Sequence, residues 1–213
     1  MPKTKPKLKS KSEAERSGGR RPRADAQRNI DTLLEAAKAV FAESGVDAPV
    51  REIADRAGVG IGTVYRHFPN RSDLVAGVFR REVDACADAA GSLAAAHPPE
   101  DALTRWLHRY AGFIATKRGL AAALHSGDPA FSPLPAYFRQ QLEPALKSLL
   151  DAAEVTGVIR SDVDPYELLH AVASLCAPAH GPNPGQVQRM IELLIDGLRF
   201  RGASKNERKR ARK

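Results

Sequence analysis

The residues best equipped for chemistry stand close together, in the string IGTVYRHF from Ile61 to Phe68. Thr63, Tyr65, Arg66 and His67 bring a hydroxyl, a phenol, a guanidinium and an imidazole into a few positions, a set suited to phosphate oxygens and base edges. Ile61 and Gly62 precede them and leave room for a close approach to a groove. Nothing comparable points to catalysis. The six histidines stand in no HExxH spacing, the two cysteines in no CxxC, and no GxSxG or phosphate-loop string occurs. His108 is read as a surface residue and His125 as a polar group near an apolar chamber. An enzyme is not expected, and neither a metal nor a cofactor is.

Such a set works only if a short helix presents it. Val50 to Ala57 places Val50, Ile53, Ala54 and Ala57 at the spacing of one helical face. Gly58 follows where a helix stops in a left-handed conformation. Val59 is placed to plug the angle, and Gly60 to act as a weak N-cap. The next helix, Ile61 to Phe68, buries Val64 and Phe68 at i, i+4 and leaves Ile61, Gly62, Thr63, Tyr65, Arg66 and His67 outward. Two short helices about a glycine turn make a helix-turn-helix. An ordinary αα-hairpin shares that outline, but the polar outer surface points to DNA.

The flanking sequence supplies the supports. Asn29 to Ser44 carries Ile30, Leu33, Leu34, Ala37, Val40 and Phe41 at 3–4 spacing and closes on Gly45. Pro69 ends the recognition helix, and Asn70 with Asp73 opens a long one that runs to about Ala95. Beyond His97-Pro98-Pro99 the pattern predicts helices over Asp101–Thr116, Gly119–Leu124, Leu134–Glu154 with a kink at Pro144, a helix from Asp164-Pro165 to about Cys176, and one from Val187 to about Arg201. No strand alternation and no repeat is present. The expected fold is all-α: an N-terminal three-helix head and a C-terminal helical body.

Charge is divided unevenly. Residues 1–23 carry nine Lys/Arg against two acids, and residues 199–213 eight against one, whereas the stretch between them is net −6. The near-neutral head therefore needs cations from elsewhere, and Arg20, Arg21 and Arg23 are placed to follow DNA onto phosphates or into a minor groove. Both tails lack apolar periodicity and are expected to be disordered when free; solubilising ends are the alternative reading. No apolar run approaches the ~20 residues of a membrane span, and no apolar segment follows the Lys-rich start, so a cytoplasmic protein without a membrane partner is expected. Cys86 and Cys176 fall within helical patterns and read as small buried hydrophobes.

The stretch from about Asn29 to Phe79 closely resembles the DNA-binding domain of the TetR family of transcriptional regulators. Tyr65, Arg66, His67 and Phe68 match the ending of that family's recognition helix, and Asn70 and Arg71 the start of its connecting helix. The resemblance implies phosphate contacts from Thr63, Tyr65, His67 and Arg71, with Val50 and Arg51 opening a helix that lies across the DNA backbone. Ile61, Gly62 and Arg66 fall where base contacts vary. Ile61 and Gly62 can read only thymine methyls or shape, so Arg66 is the main candidate for a guanine contact.

The resemblance also implies a homodimer on a palindromic operator, built by the last two helices as a four-helix bundle. Leu168, Leu169, Val172 and Leu175 form one candidate interface stripe, and Val187, Met190, Ile191, Leu194 and Leu198 the other. The middle helices hold the aromatics Trp106, Tyr110, Phe113, Phe131, Tyr137 and Phe138. The resemblance makes them an effector chamber, with Trp106, Tyr110, Phe113 and Phe138 as the pocket, and their character favours an apolar small molecule. The chain thus divides into a basic tail (1–23), a DNA-binding head (24–71), an effector-binding and dimerisation body (72–201) and a second basic tail (202–213). The expected function is a repressor released from its operator by an effector. An architectural, weakly sequence-specific DNA binder using the tails is the alternative.

Overall fold

In a computed structural model the chain is helical throughout its described part, with the backbone described at 20–124, 126–176 and 184–199 and side chains at the same positions apart from 20–26, 116–123 and 184. The basic tails at 1–19 and 200–213 and His125 lie outside the described residues, and so does the Arg23 side chain. The elements are α1 (Arg20–Ser44), α2 (Val50–Ala57), α3 (Ile61–His67), α4 (Arg71–Ala96), α5 (Pro99–Leu124), a 3₁₀ turn (Pro129–Phe131), α6 (Leu134–Val155), α7 (Pro165–Leu175) and α8 (Pro184–Arg199). No strand is present among the described residues.

Local chemistry explains most boundaries. Gly58 is left-handed at φ 68°, and the Val59 N–H reaches back to Ala54 O at 3.0 Å, closing α2. The Asn70 N–H donates to Asp73 Oδ2 at 3.2 Å at the start of α4. Asp164 accepts the Glu167 N–H at 2.9 Å at the start of α7. Three elements differ from the sequence reading. Helix α1 begins at Arg20 rather than near Asn29, so the arginines placed before the head are on its first helix. Helix α5 is continuous where a break near Gly119 was expected; Ala115 and Ala121–Ala123 are strong helix formers on either side, and one interior glycine costs only about 1 kcal/mol. Helix α6 continues through Pro144, which is exposed, while Leu142, Leu146, Leu149 and Leu150 are buried on the other side.

Helix α4 is the spine. It packs on α5 and α6 along its length and on α1 near its start. Val64, Ile53 and Leu74 are essentially fully buried where α2, α3 and α4 meet α1, each contributing about 1.5–3 kcal/mol relative to exposure. Trp106 is fully buried, and its Nε1–H donates to Cys86 O at 2.9 Å, which pins α5 to α4. Gly77 lets the end of α3 come close: a Cβ there would lie 2.8 Å from Phe68 Cε1.

Candidate nucleic-acid interface

Helix α3 is held from below and bare above. Val64 is 1% exposed, whereas Ile61 is 40% and Tyr65 49% exposed; with Gly62 and Arg66, also exposed, they form the outer face, and Thr63 and His67 are half-buried at its edges. Ile61 and Tyr65, one turn apart, put two large hydrophobic side chains on that exposed face.

Ion pairing in the head is selective. Arg56 forms a two-pronged pair with Glu43 at 2.8 and 2.9 Å, and their hydrogen bonds hold the Glu43 carboxyl below its usual range and push the Arg56 guanidinium up. Lys38 meets Glu82 at 2.9 Å, and Arg81 meets Glu35 at 2.8 Å. Arg51 and Arg66 are exposed and have no ion-pair or hydrogen-bond partner among the described residues. They are therefore available to phosphates and bases, with no internal pair to break first.

Arg71, for which the resemblance implied a phosphate contact, is bonded within the head through one guanidinium nitrogen. Its Nη1 donates to Val46 O and, at 2.7 Å, to Ala48 O, and the residue is half-buried. These bonds fasten the start of α4 to the loop between α1 and α2. The next residue, Ser72, donates from Oγ to Asp128 Oδ2. Asp128 in turn accepts the Ala130 N–H at 2.9 Å and caps the 3₁₀ turn that carries the buried Phe131.

Phe131 faces a cavity of about 310 Å³ bordered by α4, α5, α6 and α7 and partly open to solvent, with His170 exposed and Tyr166 half-buried at its edge. Of the aromatics named for a pocket, Tyr110 and Phe138 line it, along with Phe79, Leu134, Tyr166 and His170. Trp106 and Phe113 do not. Trp106 is a core residue stacked on Tyr110, 5.6 Å between ring centroids. Phe113 stands behind the wall against Phe79 and Phe138, at 6.0 and 6.3 Å.

The expected dimer stripes prove to be two faces. Leu168, Leu169, Val172, Ile191 and Leu198 are buried within the chain itself. An outer groove runs between α7 and α8, with Leu168 and Leu198 in its wall, the apolar side chains of Ala171, Leu175, Met190, Leu193 and Leu194 beside them, and the charged Arg160, Asp162, Asp164 and Glu167 also in its lining. Met190 is 37% and Leu193 65% exposed, and Val187 is half-buried.

Two families described by their conserved segments match the chain: bacterial regulatory proteins, tetR family, over residues 33–78, and transcriptional regulator SbtR-like, C-terminal domain, over residues 98–200. The solved structure of a TetR transcriptional regulator from Streptomyces coelicolor is 37% identical, covering 81% of this chain and 99% of that one at a TM-score of 0.70. The chain belongs to the TetR family of transcriptional regulators. A TetR transcription regulatory protein from Mycobacterium vanbaalenii is similar to this TetR-family regulator at 36% identity, 84% and 99% coverage and a TM-score of 0.65. An HTH-type transcriptional regulator of Staphylococcus aureus is 41% identical over 63 residues, so the match spans 29% of this chain and 34% of that protein.

Membership makes this TetR-family regulator a DNA-binding protein and not an enzyme. Its all-α architecture of a helix-turn-helix head and a helical body is that of its relatives. No described helix is long and apolar enough to cross a membrane. Sequence reasoning missed Leu193 at the outer groove and Phe79, Tyr166 and His170 at the cavity. Leu193 was legible as the i+3 neighbour of Met190, whereas the three cavity residues lie on α4 and α7, away from the aromatic run in the middle of the chain.

Proposed function

We propose that this regulator is a homodimeric repressor that binds a palindromic operator through α3 and leaves it when an apolar small molecule occupies the cavity. The observation that carries the DNA half is the outer face of α3, where exposed Ile61, Tyr65 and Arg66 stand unpaired beside Arg51. In this reading Thr63, Tyr65 and His67 contact phosphates, Val50 and Arg51 follow the DNA backbone, Arg66 reads a guanine, and Ile61 and Gly62 meet thymine methyls. Arg71 positions the head from within. Arg23, on the first turns of α1, supplies charge to flanking phosphates. The head spans 24–71 and the body 72–201.

The outer groove between α7 and α8 supports a second copy. One head reads few base pairs, and a two-fold pair sets recognition helices about 34 Å apart, one turn of DNA. The chamber supports an effector: by favouring a state whose heads no longer match that spacing, a ligand needs a differential affinity of only about 1–3 kcal/mol.

The test is selection of bound duplexes from a random pool at near-physiological salt, with the stoichiometry of the winning site. A palindrome bound by one or two dimers is the expected result. Absence of an enriched sequence, with binding that vanishes when residues 1–21 are removed, would replace the repressor with an architectural binder that relies on its tail.

A further inference from the structure

The 3₁₀ turn at Pro129–Phe131 reaches both the cavity and the start of α4. Phe131 lines the cavity and is the only buried residue from 126 to 132; Ser126, Gly127, Pro129 and Ser132 are exposed. Three bonds make the turn move as a unit. The Phe131 N–H donates to Asp128 O at 3.0 Å, the Ser132 N–H to Pro129 O at 3.2 Å, and the Ala130 N–H to Asp128 Oδ1 at 2.9 Å. The other carboxylate oxygen, Asp128 Oδ2, accepts the Ser72 hydroxyl from α4. One carboxylate therefore closes the turn and ties it to the helix that carries the head.

The two ends of the turn differ in freedom. Gly127 leads into it, left-handed at φ 81° with nothing within 4 Å of where a Cβ would stand, so the chain can pivot there. Beyond the turn α6 is held in place: Leu134 is 3% exposed, and the Tyr137 hydroxyl donates to Asp84 Oδ1 in the middle of α4. Across the Ser72 bond, the start of α4 is fastened to the head. Arg71 donates to Val46 O and Ala48 O, and Asn70 stands two residues after Phe68, which closes α3. Residues 70–73 thus lie between the cavity turn and the recognition helix.

We propose that Asp128 is a positioning residue for the DNA-binding head: through Ser72 it holds the start of α4 where α3 can dock, and an occupant of the cavity that displaces Phe131 swings the turn about Gly127 and breaks that bond. The release step rests on the chamber reading above, whereas the positioning role does not. A hydroxyl and a carboxylate part company once their oxygens stand beyond about 3.5 Å, so a displacement of about 1 Å is enough. Asp128 and Ser72 are half-buried, and water can take the place of the lost partner on each. The joint thus has two discrete arrangements, bonded and hydrated, which both the cavity and the head can bias.

The positioning role is tested without any ligand. Full-length Ser72→Ala, Phe131→Ala and the double variant are titrated with the duplex enriched by selection, and amide exchange is followed over residues 74–78. Each single variant should weaken operator binding by about three- to tenfold and quicken exchange at the start of α4. The double variant should lose no more than the weaker single, because both act through one joint; independent effects multiply. Ser72→Thr keeps the hydroxyl and should keep the wild-type affinity. Phe131→Leu replaces the alanine variant should that fail to fold. A Ser72→Ala chain with unchanged affinity and exchange, or a double variant whose loss is the product of the singles, would overturn the role of Asp128.

The release step is tested with a tethered occupant. Ala173 lines the same cavity and is half-buried, so Ala173→Cys capped with benzyl methanethiosulfonate puts an aromatic ring there. Cys86 and Cys176 are 2% and 0% exposed and should stay uncapped, which mass spectrometry checks; Ala173→Trp serves instead should the thiol not react. The expected result is weaker operator binding on capping when Ser72 is present and no further loss in the Ser72→Ala background. Equal loss in both backgrounds would overturn the release step through Asp128 and leave the chamber reading standing. No loss with Ser72 present would overturn the chamber reading and the release step with it, while the positioning role stands or falls on the variants above.

Discussion

Gly77 and Gly91 lie on the same helix, and the same substitution should stabilise the chain at Gly91 and not at Gly77. Replacing an interior helical glycine by alanine gains about 0.8–1 kcal/mol from backbone entropy. At Gly91 nothing lies within 4 Å of the added Cβ, so Gly91→Ala should realise that gain and raise the melting temperature by about 2–4 °C in a chain of this size. At Gly77 the added Cβ meets Phe68 Cε1 at 2.8 Å and Leu34 Cδ2 at 3.1 Å. Carbon pairs rest at about 3.5–4.0 Å, so the ring must retreat by roughly 0.7–1.2 Å. Leu34 is only 7% exposed and gives little room, and overpacking of this kind costs about 1–3 kcal/mol. The net effect of Gly77→Ala is therefore between no change and a loss of about 2 kcal/mol. Phe68 also closes α3, its N–H bonded to Val64 O at 2.8 Å, so moving its ring tilts the recognition helix and lowers operator affinity. Thermal melts and operator titrations on both variants decide the matter. Equal stabilisation by the two alanines, with equal operator affinity, would refute the close approach of Phe68 to α4.

Four further perturbations probe other parts of the argument. Arg71→Lys removes the guanidinium nitrogen Nη1 that donates to both Val46 O and Ala48 O; leaving such carbonyls unsatisfied costs about 1–3 kcal/mol, and amide exchange in residues 45–50 should quicken, whereas unchanged exchange with a shallower salt dependence of DNA binding would make Arg71 a phosphate contact. Arg66→Ala should relax preference at one position per half-site by about 1–3 kcal/mol, measured by competition among operator variants, and a uniform loss across sequences would make it a phosphate contact instead. Leu193→Asp places a charge on a 65% exposed leucine, so the chain should keep its fold and become monomeric in ultracentrifugation; an unchanged assembly would move the interface elsewhere. The Asp128 carboxyl is held below its usual range by the Ser72 hydroxyl first and the Ala130 N–H second. Its contribution to stability is thus present above the ordinary carboxylate pKa and lost as pH falls through its own lowered value. Ser72→Ala should shift the Asp128 carboxyl resonance titration upward, and an unmoved titration would show that the bond is not formed in solution.

The head was readable because its signals are local. Gly58, Pro69 and Asn70 each act on the residues beside them, and the outward positions of α3 follow from the burial of Val64 alone. The body was less readable because periodicity gives the existence of an apolar face and not its partner. Helix α8 carries two such faces: Ile191, Ile195 and Leu198 are buried within the chain, while Met190 and Leu193 look outward, and a 3.6-residue period cannot say which meets a neighbour. Trp106 and Phe113 share a helix face with Tyr110, yet only Tyr110 reaches the cavity, because its neighbours are taken up by Cys86 O and by the rings behind the wall. Arg71 looked like a surface cation since nothing near it in sequence announces the carbonyls of Val46 and Ala48.

The bond between Ser72 and Asp128 has a consequence for how such proteins can be recombined. Its two ends fall in separate inherited segments, the hydroxyl within 33–78 and the carboxylate within 98–200. A chimaera that joins residues up to 78 of this chain to another regulator's second half brings the donor and leaves the acceptor behind, unless the new half carries an acid at the corresponding turn. Head exchange in this fold is therefore subject to a compatibility rule written in one hydroxyl and one carboxylate. Grafts that respect it keep a polar joint between the DNA-reading end and the turn that carries Phe131, and grafts that break it join two working halves with no such tie between them.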